Sequence, residues 1–144
     1  MSLKELRFTV EGEPFGKQRP RHNGKITYTP QETHEHEDLI RWAYRRACRG
    51  FRFPDGWYVD LHVIAYMRIP KTAKGEVRHK MLSGRLRPAK TPDWDNIGKL
   101  VADALNKIAY SDDRYIVDAS VRKFWAEHPR TEVILRGFDP EENT

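Results

Sequence analysis

Cysteine is nearly absent from the chain. Cys48 is the only one, so no disulfide forms within it, and a lone thiol suits a reducing, cytoplasmic setting. Long apolar runs are also missing. Hydrophobic residues make up 38% and charged residues 33% of the sequence, and no segment approaches the ~20 apolar residues of a membrane span. The opening residues lack a signal-peptide pattern, because Lys4, Glu5 and Arg7 interrupt it. There is no repeat, low-complexity tract or interdomain linker, so the 144 residues are expected to form a single domain over residues 1–144. Acidic residues are missing from one stretch, Lys17 to Lys25, and nearly so from another, Pro70 to Ala89, where Glu76 stands alone.

What remains in those two stretches is basic. The net charge of +5 is a weak pointer to polyanions by itself. Its placement says more. Lys17-Gln18-Arg19-Pro20-Arg21 reads as a loop whose arginines can grip phosphate with two hydrogen bonds. Lys71, Lys74, Arg78, Lys80, Arg85 and Arg87 lie in a second segment, broken by Gly75, Gly84 and Pro88 and read as a long loop. Its charge makes it a poor interior and a good polyanion contact. The alternative for both is a merely solvated loop.

Periodicity supplies the elements. Leu6 to Glu11 alternates and predicts a strand. Thr29-Pro30-Gln31-Glu32 predicts a helix start, with Thr29 as cap and Glu32 closing a capping box, and Gly50 a stop near Arg49. Leu39, Ile40, Ala43 and Ala47 are its expected inner face. His34 and His36, two apart on that helix, do not share a face and are rejected as metal ligands. Trp57 to Arg68 predicts a long strand with Val59, Leu61, Val63, Ala65 and Met67 on one apolar side. Tyr115 to Trp125 predicts another, with Val117, Ala119 and Val121 on one face and a bulge or end at Phe124-Trp125. Thr131 to Phe138 is the last. The expected fold class is α+β, a mixed β-sheet with two main helices packed against it.

The centre of the chain is Thr91-Pro92-Asp93-Trp94-Asp95-Asn96-Ile97-Gly98-Lys99 and the helix that follows. Ile97, Leu100, Val101, Ala104, Leu105 and Ile108 form an apolar stripe at helical spacing. Asp95, Lys99 and Asp103 form a charged stripe on another face. Pro92 places the helix start just after itself. Asp93 or Asp95 can cap the first turn, and Asp112-Asp113 can be a plain turn. Capping uses one carboxylate, however, and Asp-x-Asp supplies two that repel at short range. A hard cation with oxygen ligands, such as Mg²⁺, removes that repulsion.

Asp-x-Asp-Asn-x-x-Lys, then Asp-Ala-Leu-Asn, then Asp-Asp before an Ile/Val strand resembles the RusA family of Holliday-junction resolvases. Lys17-Gln18-Arg19-Pro20-Arg21 resembles a segment found in many of its members. The family carries a basic residue before the first Asp in some members, where this chain has Pro92. The resemblance implies Mg²⁺ held by Asp93, Asp95 and Asp113, with Asp112 adjacent, and Lys99 needed for cleavage. It implies a homodimer acting on four-way junction DNA in recombination and repair. It assigns DNA contact to Lys17, Arg19 and Arg21; Lys71, Lys74, Arg78, Lys80, Arg85 and Arg87 are expected to join them. The competing expectations are a less selective Mg²⁺ nuclease on flaps or branched DNA, and a non-catalytic DNA-binding protein.

Overall fold

A computed structural model describes residues 3–142. Four strands form the main sheet: β1 (Leu3–Glu11), β4 (Tyr58–Arg68), β5 (Ile116–Ala126) and β6 (Arg130–Phe138), in the order β1-β6-β4-β5. β1 and β4 both pair antiparallel with β6, and β4 pairs parallel with β5, so the sheet is mixed as expected. A two-stranded hairpin, β2 (Arg21–Asn23) with β3 (Ile26–Tyr28), stands apart. The sequence pattern predicts only loop there, because three-residue strands are too short to show an alternation.

Three helices pack with the sheet rather than two. They are α1 (Gln31–Cys48), α2 (Gly75–Leu82) and α3 (Trp94–Leu105). The additional one is α2, inside the segment expected to be a long loop. It buries no residue and leaves Val77 and Leu82 exposed, so it writes no apolar stripe into the sequence. α1 and α3 do carry one. Ile40, Ala43 and Tyr44 of α1, and Ile97, Leu100, Val101, Ala104 and Leu105 of α3, form one core with Val59, Leu61, Val63, Ala65 and Met67 of β4, α1 lying against β1 and α3 against β4 and β5. The alternation of β4 is thus the floor of the core.

Several local expectations change. The cap of α1 is Pro30, extended at φ −56° and ψ 143°, with no side-chain cap. Helix growth starts one residue late, so Thr29 falls outside it and Thr33 and His34 donate to the Pro30 carbonyl. Leu39 and Ala47 point outward, while Thr33 and Glu37 are buried in their stead. The irregularity in β5 lies at its start. Val59 pairs with Ile116 and Asp60 with Asp118, leaving Val117 as an extra residue. Ile116, Ala119 and Val121 therefore line one groove, and Val117 turns outward, 53% exposed. Phe124 and Trp125 continue the ladder without a break.

Candidate active site

The N-terminus of α3 carries the Asp-x-Asp pair. Asp93 occupies the cap position in an extended conformation, and its carbonyl accepts the Ile97 N–H at 3.1 Å. Its carboxylate makes no cap hydrogen bond. Asp95 lies in the first turn, and among the described residues neither carboxylate has a hydrogen bond or ion pair. Both are exposed. Two bare carboxylates at a helix N-terminus sit in the positive end of the helix dipole, and the donors are oxygen only. In kind, this set fits a hard divalent cation.

Lys99 lies one turn after Asp95, on a ridge between two grooves. On one side Asp95, Gly98, Lys99 and Ala102 face the β5 residues Ile116 and Ala119. On the other, Asn96, Lys99 and Asp103 face Arg19 and Pro20. Gly98 lets α3 approach the sheet closely: a Cβ there would stand 3.0 Å from the Val121 side chain, a tight contact.

Asp113 belongs to the other end of α3. It opens a short 3-10 turn, Asp113–Tyr115, and its N–H donates to the Asn106 side-chain carbonyl at 3.0 Å. Asn106 closes α3. Asn106 thus fastens the Asp113 backbone at the C-terminal end of α3, while Asp93 and Asp95 lie at its N-terminal end. Among the described residues no three His, Cys, Asp or Glu side chains are grouped closely enough to hold a metal ion. The link between the ends is electrostatic. Burial, then the hydrogen bond and charge of Asp112, then the charge of Asp103 raise the Asp113 pKa, and Lys99 opposes them. Asp112 is lowered, first by the Arg114 N–H and then by its bond to Asp113. The pair therefore favours a proton on Asp113. Asn106, read from the sequence as a helix end and as the last residue of the Asp-Ala-Leu-Asn motif, fastens Asp113.

The first basic segment is strapped across α1 and α3. Gly16 abuts the start of α3 so closely that a Cβ would lie 2.7 Å from the Cβ of Pro92, just before the helix, and 3.1 Å from that of Asn96 within it. The Lys17 N–H donates to the Asn96 carbonyl at 2.9 Å, and the Gln18 N–H donates to the Thr33 hydroxyl at 3.3 Å. The Lys17 ammonium turns inward, 2.5 Å from Asp103 and 3.6 Å from Glu37. Burial alone pulls its pKa down, but these two carboxylates outweigh that and raise it. Arg19 and Arg21 are exposed. His36 stacks on Phe15 at 3.9 Å.

The second basic segment divides. Arg78 pairs with Glu127 at 2.6 Å and Lys80 with Glu76 at 3.4 Å. Arg87 donates to the Lys123 carbonyl at 2.5 Å and stacks over Phe124 at 3.7 Å. Lys71, Lys74 and Arg85 are exposed, and their side chains have no partner among the described residues.

Comparison with known proteins bears on the whole arrangement. The family described as Endodeoxyribonuclease RusA matches residues 11–136, which takes in Lys17, the Asp-x-Asp pair, Lys99 and Asp113. The chain is also 35% identical over 136 residues to a Bacillus subtilis (strain 168) protein, "Uncharacterized protein YqaN", covering 91% of this chain and 95% of that one. Among the described residues no helix is long and apolar enough to cross a membrane. The chain belongs to the endodeoxyribonuclease RusA family, and that membership supports a nuclease role.

Proposed function

We propose that the protein is a Mg²⁺-dependent, structure-selective endonuclease that resolves four-way DNA junctions by phosphodiester hydrolysis, in recombination and repair. The observation that carries this is the Asp93 carboxylate, which stands at a helix cap without capping, beside an equally unpaired Asp95. Residues needed only for helix stability would be engaged with the first-turn N–H groups.

Asp93 and Asp95 would hold the cation, with Asp113 as a further ligand. Bound Mg²⁺ would activate water and offset charge on the phosphate oxygens. Lys99, one turn from Asp95 and without an ion pair among the described residues, would stand by the scissile phosphate and balance its growing negative charge. Arg19, Arg21, Lys71, Lys74 and Arg85 would hold the backbone of the junction arms, a contact that reads shape rather than base sequence. Two cuts related by a two-fold axis call for two copies of this chain.

The deciding experiment is cleavage of a labelled four-way junction and of linear duplex, each with Mg²⁺ and with EDTA. We expect paired cuts in the junction, only with Mg²⁺. Equal cutting of flaps and duplex would replace junction resolution with a less selective nuclease. Binding without any cutting would leave a DNA-binding protein.

A further inference from the structure

The cleft between the strap and α3 is about 390 Å³ and is lined by Lys17, Arg19, Asn96, Lys99 and Asp103, among others. That volume lies in the range of small-molecule pockets. Arg19 and Lys99 approach it from opposite walls, and neither has a hydrogen bond or ion pair among the described residues. Two unpaired cations across one cleft suit an anion. Asp103 in the same wall, with Glu37 behind it, would repel one.

Lys17 stands between those two carboxylates. Its side chain is 18% exposed, that of Asp103 25% and that of Glu37 10%. An ammonium 2.5 Å from one carboxylate and 3.6 Å from another, and largely enclosed, is committed to them. Its backbone is committed too, through the Asn96 carbonyl, and Gly16 seats the strap flush against α3. Arg19 follows two residues later, so whatever fixes Lys17 also fixes where Arg19 starts. Without the Lys17 charge, Asp103 and Glu37 would cancel Arg19 and Lys99.

We propose that this cleft is a subsite for a DNA backbone phosphate next to the scissile one, and that Lys17 is a positioning residue that opens it to anions by masking Asp103 and Glu37, without touching DNA. The proposal rests on the nuclease reading above, and it departs from the expectation that Lys17 is itself a phosphate contact.

A double-mutant cycle tests it, with binding of a labelled four-way junction measured in EDTA so that no cutting occurs. Lys17→Met in the native background weakens binding about tenfold, because two carboxylates are unmasked. The same change in an Asp103→Asn background weakens it less than about twofold, because the main group to be masked is gone. Arg19→Ala lowers affinity and reduces the slope of log K against log salt by about 0.9, the effect of removing one phosphate-neutralising cation. Lys17→Arg, which keeps the charge, binds near the native level. A Lys17→Met defect that is undiminished in the Asp103→Asn background shows direct contact and overturns the masking role. An unchanged salt slope in Arg19→Ala overturns the subsite. If Lys17→Met melts below the assay temperature, Glu37→Gln decides instead: a two- to threefold rise in affinity is expected from masking, and no rise overturns it. A native protein that neither binds nor cuts the junction in Mg²⁺ overturns the nuclease reading itself, whereas native cutting with an undiminished Lys17→Met defect overturns only the cleft.

Discussion

At the scale of single residues, the two ends of α3 pose different tests. Asp93 caps nothing with its side chain. Asn is about as good a cap as Asp, so Asp93→Asn sacrifices no side-chain hydrogen bond and should change stability by less than about 0.5 kcal/mol. It removes a unit of ligand charge, so cleavage in Mg²⁺ should be lost while junction binding persists or strengthens. A melting curve beside a binding and a cleavage assay checks this, and near-native cutting would sink the metal role of Asp93. Asp113 is the reverse case. Desolvation, then the hydrogen bond and charge of Asp112 and the charge of Asp103, raise its pKa, so the folded state binds a proton there more tightly than the unfolded chain does. A raised carboxyl destabilises the fold once pH exceeds the folded value, and the deficit shrinks as pH falls through it toward the ordinary value. Asp113→Asn should therefore raise the melting temperature at pH 7 and lose that advantage on acidification, while abolishing cleavage. In the native protein cleavage should fade on acidification above the ordinary Asp range, since a proton and a cation compete for the same oxygen.

At the scale of elements, α2 gathers three occupied and three unoccupied cations in and around one short helix. Arg78, Lys80 and Arg87 are tied to Glu127, Glu76 and the β5 backbone. Lys71, Lys74 and Arg85 are not tied to any described residue. Replacing the second trio with Ala should therefore lower the salt slope of junction binding by up to about 2.7, at 0.9 for each phosphate no longer neutralised. Replacing the first trio should lower it less and should also lower the melting temperature, because the Arg87 stack on Phe124 disappears. Equal salt slopes for the two triple variants would show that pairing does not decide which cations meet DNA. α3 combines the two jobs of the site. Its apolar stripe fixes it on β4, and another face presents Asp95, Lys99 and Asp103 at successive turns.

For the whole molecule, one chain carries one Asp-x-Asp pair, one Lys99 and one Asp113, whereas a junction is resolved by two cuts. We expect a dimer at micromolar concentration, with both α3 N-termini reaching one DNA. Sedimentation velocity with and without a four-way junction measures it; a strict monomer in both would leave paired cutting without an explanation. The second face of β4, Tyr58, Asp60, His62, Ile64, Tyr66 and Arg68, is not closed into the core, and Tyr58 is 40% exposed. Charged and aromatic side chains are interleaved there, and Tyr66 stacks with Phe124 at 5.8 Å.

How much of this is legible in the sequence follows from the range of each interaction. Period-two alternation in β4 and period-3.6 spacing in α3 are local patterns, so those elements, their buried faces and the candidate carboxylates can be named from the chain alone. The mixed sheet follows from the order of strands and helices. α2 is not readable, because a helix that buries nothing leaves no stripe. The β5 bulge lies at Val117 rather than Phe124 because register is set by pairing with β4, a partner about sixty residues away. The site divides in the same way. Which residues carry charge is a property of sequence. Which charges are spent on one another is a property of packing: Lys17 meets Asp103 across 86 positions, and Arg78 meets Glu127 across 49. Side-chain pairing at that range depends on how α1, α3 and the sheet edge come together. The sequence therefore determined the residue types and the helix that bear the chemistry, and the tertiary structure decided which of the basic residues remain open to a phosphate.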